Sequence, residues 1–260
     1  MPRSAWYTLG FAAAICLVCS VLVTSAAVSL EERQEVNKTL DKQKNVLEAA
    51  GLKQPGENLE PAEVQKRFEA FEAVVVDLTT GQEDASVSPD DVDQRKMTND
   101  PAQSVAAERN PALVQRVSNK AVVYKLRGEG GGLKMLILPI EGKGLWSTLY
   151  GFVALNSDLE TVEGITFYQH GETPGLGGEV DNPKWKALWP GRRIFGADGD
   201  VAIEVIKGAA GPATEDPYRV DGLSGATITS RGVTHLLRFW LDEERFGRYL
   251  ESLTPNRRAA

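Results

Sequence analysis

The chain has 260 residues, 42% hydrophobic and 25% charged, enough for one or two domains with a sizeable core. A net charge of −7 and the lack of any Lys/Arg-rich stripe exclude a nucleic-acid binder, whose phosphate contacts need a basic surface. Only two Cys and two His occur, so neither a disulfide framework nor a mononuclear zinc or iron site is expected.

From Ser4 to Leu30 there is no charged residue, and the run exceeds the roughly 20 apolar residues that a helix needs to span a bilayer. Ser25-Ala26-Ala27 offers a small-residue cleavage site, but signal-peptide cores are usually about 7–15 residues, so a retained transmembrane anchor is expected. Trp6 and Tyr7 suit the interface. Arg3 lies before the run while Glu31 and Glu32 follow it, which leaves the N-terminus in the cytoplasm and exports the remainder. Cys16 and Cys19 fall inside this run and read as small inert side chains.

Val36, Leu40, Val46, Leu47 and Ala50 recur at helical intervals, predicting a juxtamembrane helix over Glu31 to Leu52, broken by Pro55-Gly56. A short helix over Pro61 to Glu72 and a strand at Ala73–Leu78 follow. Glu83 to Asp93 is acidic and turn-rich, a solvated loop. Residues 101–119 are irregular, with one helix expected. From Ala121 the pattern becomes β. Ala121–Arg127 and Leu133–Ile140 flank a Gly128–Gly132 turn and form a hairpin; no Lys-Ser/Thr follows the glycines, as a phosphate loop would require. Further strands are predicted at Leu149–Leu155, Gly164–Gln169 and Val201–Ile206, with a short helix near Asn182–Leu188. Val233, Leu236, Leu237, Trp240, Leu241, Phe246, Tyr249, Leu250 and Leu253 trace one long amphipathic helix, with Ser230 as its N-cap.

The expected fold is therefore α+β. A single transmembrane helix over residues 1–30 precedes a juxtamembrane helix and looser α/β insertion over 31–120. A domain of mostly antiparallel sheet with flanking helices fills 121–260.

The run Asp221-Gly-Leu-Ser-Gly-Ala-Thr227 lies just before that last helix. Unpaired backbone N–H groups and the positive end of the helix dipole make such a place receptive to an anion. Gly222 and Gly225 permit close backbone approach. On these residues alone, a capped helix start with a polar turn remains an open reading. The run also resembles the Asp-x-x-Ser/Thr-Gly-Ala-Thr/Ser pattern of FMN-binding domains that carry phosphoester-linked FMN. His170-Gly-Glu-Thr-Pro-Gly-Leu-Gly-Gly-Glu179 resembles that family's second signature. Gly144-Leu-Trp-Ser147 with Tyr150-Gly151, and Asn45-Val-Leu-Glu-Ala-Ala-Gly-Leu52, extend the likeness over most of the chain. It is most similar to the C-type subunits of the sodium-translocating NADH:quinone reductases, and shares its motif with the paralogous G-type subunits of Rnf complexes.

That resemblance implies FMN esterified through its phosphate to Thr227 by a flavin transferase that uses FAD as donor. It further implies an electron-transfer subunit of a multisubunit, sodium-pumping NADH:ubiquinone reductase, anchored once in a bacterial inner membrane with its main domain periplasmic. The equivalent subunit of an Rnf-type complex, or a non-redox assembly subunit, are the alternatives. Ser147, Ser224 and Ala226 join the implied cofactor contacts. Beside a flavin, Leu176 is expected to pack on the isoalloxazine face and Trp146 to stack. Glu172 and Thr173 are expected to bond the polar edge, and Lys207 to approach from the end of its strand. His170 is read as structural, since an electron carrier needs no general base.

Overall fold

The computed structural model describes residues 4–54, 56–128 and 130–254, and all of these except the side chain of Glu32. The expectations resting on Arg3, Pro55 and Glu129 lie outside the described residues. The chain divides into two units, residues 1–42 and 43–260.

The first unit is helical. Helix α1 runs unbroken over Ala5–Ala49, so the anchor and the juxtamembrane helix are one element and not two. No Gly or Pro interrupts the charged stretch after Leu30, and its Glu, Lys, Gln and Leu residues are good helix formers. Ala5–Glu31 is long and apolar enough to cross a membrane. Cys16 and Cys19 are free, exposed thiols on it.

The second unit is built on a six-stranded sheet. After the last turns of α1 come α2 (Pro61–Phe68), β1 (Phe71–Asp77), β2 (Gln82–Glu83), α3 (Gln94–Met97), β3 (Ser104–Ala106) and β4 (Arg116–Ser118). Next are β5 (Lys120–Arg127), β6 (Leu133–Lys143), β7 (Thr148–Asn156) and β8 (Val162–Gln169). The remainder is α4 (Pro183–Lys186), β9 (Glu204–Val205), β10 (Arg219–Val220), α5 (Thr227–Leu241) and α6 (Arg248–Leu253). The large sheet has the order β2-β1-β5-β6-β7-β8 and is antiparallel throughout.

Both faces of the sheet are covered, which is why β5 reads as a nearly continuous apolar run. One face carries Val123, Leu136, Leu138, Val153 and Leu155 and packs against Val233, Leu236, Leu237 and Trp240 of α5. Two glycines allow that helix to lie close. A Cβ on Gly142 would stand 2.5 Å from Leu236 Cβ, and one on Gly232 would stand 2.4 Å from the Lys143 carbonyl oxygen. On the other face, Phe68 of α2 meets Tyr124 edge-on, and Tyr124 meets Phe152. The end of α1 reaches β8 there, since a Cβ on Gly164 would lie 2.4 Å from the Ala49 carbonyl oxygen. Glu48 of α1 pairs with both Lys53 and Lys186.

Four further sequence expectations need correction. Strand β1 pairs along its whole length with β5, so the segment before residue 120 contributes to the main sheet and no boundary falls there. Residues 101–119 hold the β3–β4 ladder in place of a helix. Ser230 is not an N-cap: α5 starts at Thr227, with Ala226 in the cap position and no side-chain cap. Finally, the C-terminal stripe belongs to two helices. Asp242 is extended and its carboxylate accepts the Glu244 N–H, which ends α5; Arg245 is non-helical, and α6 restarts at Arg248. A short side chain that bonds the local backbone competes with the helical ladder.

Candidate functional site

Thr227 is the first residue of α5 and is exposed. Gly225 holds φ +69° and makes the turn into the helix, a conformation glycine adopts without steric cost. With no side chain capping α5, its first N–H groups and the positive end of its dipole face the same place. Ser230 acts one turn later: its Oγ accepts the Leu223 N–H at 3.0 Å and ties the turn to the helix.

A cleft of about 450 Å³ opens beside Thr227, lined by Ile206, Lys207, Gly208, Gly222, Leu223, Ser224, Gly225 and Arg231, among others. Lys207 and Arg231 are both exposed, and neither has an ion-pair partner among the described residues. The cleft is therefore positive, with an exposed hydroxyl at its edge. Arg231 was missed in the sequence, although its i+4 spacing from Thr227 places both on one helix face.

The sequence-predicted residues divide into three groups. Lys207, Gly222, Ser224, Gly225 and Thr227 meet at the cleft. Trp146, Leu176 and Thr173 are exposed nearby: Leu176 stands over Gly225, whose added Cβ would be 2.9 Å from Leu176 Cδ2. Ala226, Ser147 and Glu172 do other work. Ala226 is buried in the core. Ser147 Oγ accepts the Gly171 N–H at 2.6 Å, joining two loops. Gly222 serves the protein's own backbone, because its added Cβ would be 2.1 Å from the Ile206 carbonyl oxygen.

Glu172 departs most from expectation. The residue is only 5% exposed, and its carboxylate is turned inward. Oε1 accepts the Trp146 and Ser147 N–H groups at 2.9 and 3.1 Å, while Oε2 accepts the Leu145 N–H at 3.2 Å and the Thr229 hydroxyl at 2.6 Å. A carboxylate so occupied is not free to bond a flavin edge. His170 supports the same loop, with Nε2 at 2.7 Å from Asp181 and Nδ1 accepting the Glu172 N–H.

Burial pushes the Glu172 carboxyl up, but the hydrogen bonds from Thr229, Trp146, Ser147 and Leu145 outweigh it and hold the group below its ordinary value of 4.5. A depressed folded-state value means stability that is complete above the unfolded value and lost as pH falls through the folded one. Urea midpoints taken from pH 7 down to 3 are expected to hold steady to about pH 5 and then fall. The fall should be shallower in Glu172→Gln. At Gly222, a methyl group must displace backbone, so Gly222→Ala is expected to cost about 1–3 kcal/mol in urea unfolding.

An FMN-binding domain model matches residues 144–242, the span that carries every loop of this site. The fold and site thus define an FMN-binding domain following a single apolar helix. The C-type subunit of the Na(+)-translocating NADH-quinone reductase of Pseudomonas aeruginosa is 48% identical over 250 residues, covering 95% of both chains. That of Yersinia pestis is 46% identical over 242 residues, covering 92% of this chain and 89% of the other. The crystal structure of Shewanella oneidensis NqrC aligns with a TM-score of 0.77 at 34% identity, over 84% of this chain and 99% of that one. The corresponding protein from Parabacteroides distasonis gives 0.64 at 26% identity, over 85% of this chain and 96% of that one. The chain belongs to the NqrC family, the C-type subunits of Na(+)-translocating NADH-quinone reductases.

Proposed function

We propose that the chain is an electron-transfer subunit of a sodium-pumping NADH:ubiquinone reductase, carrying FMN esterified through its phosphate to Thr227. The observation that carries this reading is the exposed Thr227 hydroxyl at the start of α5, on a cleft whose charged side chains are the cations Lys207 and Arg231. These residues suit a flavin phosphate: a hydroxyl to be esterified, two cations, and a helix N-terminus. Bound FMN supplies reversible electron-transfer chemistry at the isoalloxazine ring.

The chain's own residues tether, orient and shield. Thr227 provides the ester oxygen. Lys207 and Arg231 offset the phosphate charge, and Gly225 leaves room for Leu176. Leu176, Ile228 and Trp146, 44%, 48% and 67% exposed, offer apolar surface for the ring. A flavin transferase using FAD would make the ester. The Ala5–Glu31 helix would anchor the chain in the bacterial inner membrane with its domain in the periplasm, where a covalent tether prevents loss of the cofactor.

The named relatives favour the reductase over an Rnf-type complex. The test is sodium-stimulated quinone reduction in membranes that lack this chain. Complementation with the wild-type gene should restore it, whereas sodium-independent restoration, or none, would contradict the assignment.

A further inference from the structure

The Glu172 carboxylate joins three segments that are distant in sequence: the 144–147 loop, its own loop, and the first turn of α5. We propose that Glu172 is a positioning residue that fixes the loop bearing Trp146 to the helical turn bearing Thr227, and so sets where the flavin ring can lie. The proposal rests on Thr227 being the flavin attachment point.

The chemistry of the four donors requires a carboxylate. Three backbone N–H groups and one hydroxyl converge on two oxygens, and only an ionised carboxyl accepts from all of them. In a glutamine, the NH₂ group would face either the Leu145 N–H or both the Trp146 and Ser147 N–H groups. At least one donor directed at the buried Glu172 side chain then goes unpaired, which is the costly outcome.

The surroundings are shaped to this group. A Cβ on Gly144 would stand 2.7 Å from Oε1, and one on Gly177 would stand 2.5 Å from Oε2 and 2.6 Å from Thr229 Oγ1. Both glycines are thus needed for the carboxylate to reach its donors.

No Lys, Arg or His forms an ion pair with Glu172 among the described residues. Its charge is offset by N–H dipoles and by the start of α5. Glu172 therefore places a fixed negative charge in the wall behind the flavin site as well as a mechanical link. A fixed negative charge disfavours adding electrons to a neighbouring ring. The link and the charge can be separated by mutation, because Thr229→Val breaks the contact to α5 and leaves the carboxylate, while Glu172→Gln removes the charge and disrupts the contacts.

The test uses the full chain, produced with the flavin transferase and purified in its complex. Flavin loading is first read from intact mass, and ring mobility and midpoint potential are then measured on the loaded fraction. In both variants the nanosecond ring-rotation component of the flavin anisotropy decay should grow about twofold in amplitude. The midpoint should rise in Glu172→Gln and stay at the wild-type value in Thr229→Val. A folded, loaded Glu172→Gln chain with wild-type anisotropy and midpoint would overturn the proposal. If Glu172→Gln does not fold, Thr229→Val decides: wild-type anisotropy in that variant overturns the proposal, and increased ring mobility supports it. An unloaded wild-type chain would overturn the attachment reading, and this proposal with it.

Discussion

Thr227→Ala is expected to give a chain as stable as wild type that carries no covalent flavin. The side chain is exposed and makes no packing contact that the core depends on, so its loss should change stability by no more than about 0.5 kcal/mol. The chemical effect is complete, because alanine has no oxygen to esterify. Thr229 and Ser230 cannot replace it, because both are buried and engaged with Glu172 and with the Leu223 N–H. Thr227→Ser keeps the oxygen and is expected to load. On a denaturing gel, wild type and Thr227→Ser should fluoresce and Thr227→Ala should be dark. In the assembled complex, Thr227→Ala should reduce sodium-stimulated quinone reduction to background.

The second large effect is on stability. Trp240 is 2% exposed, packs edge-on against Phe239 and tilted against Phe246, and donates its indole N–H to the Glu141 carbonyl at 2.6 Å. It closes the contact between α5 and β6 and joins α5 to the turn before α6. Trp240→Ala leaves a large cavity and an unpaired carbonyl, and is expected to cost about 3–5 kcal/mol. In a domain of this size that corresponds to a fall in Tm of roughly 6–20 °C. Trp240→Phe should recover most of the packing and lose chiefly the hydrogen bond, about 1–3 kcal/mol. Scanning calorimetry of the two variants separates these contributions. Because α5 carries Thr227 at its start, Trp240→Ala should also lower flavin loading near the transition temperature.

Much of this fold was legible in the sequence where local pattern and tertiary role agree. The β5–β6 hairpin follows from two apolar runs around glycines, and α5 from its three-and-four spacing. The helix break was hidden because Phe246, Tyr249 and Leu250 keep the stripe's spacing across Asp242, so periodicity alone continues through it. Its cause, a carboxylate bonding the backbone two residues on, has no periodic signature. The start of α5 was displaced for a similar reason. Ser230 looks like a cap, yet its hydroxyl serves Leu223 from inside the helix. The β3–β4 ladder lacked signal because three-residue strands are too short to show alternation.

At the candidate site, the turn over residues 221–227 into α5 was readable because its residue types and order are local. Arg231 was recoverable from helical spacing. The role of Glu172 was not, since its partners lie up to 57 residues away and three are backbone N–H groups that any residue supplies. Gly144 and Gly177 are explained only once that carboxylate is in place.

The central claim is the covalent bond at Thr227. Intact-protein mass of the wild-type chain, isolated from membranes that contain the flavin transferase, tests it most directly. The expected result is a single mass increment equal to one FMN phosphoester, found on the proteolytic peptide that contains Thr227. An unmodified mass, or an increment on a peptide lacking Thr227, would contradict the account.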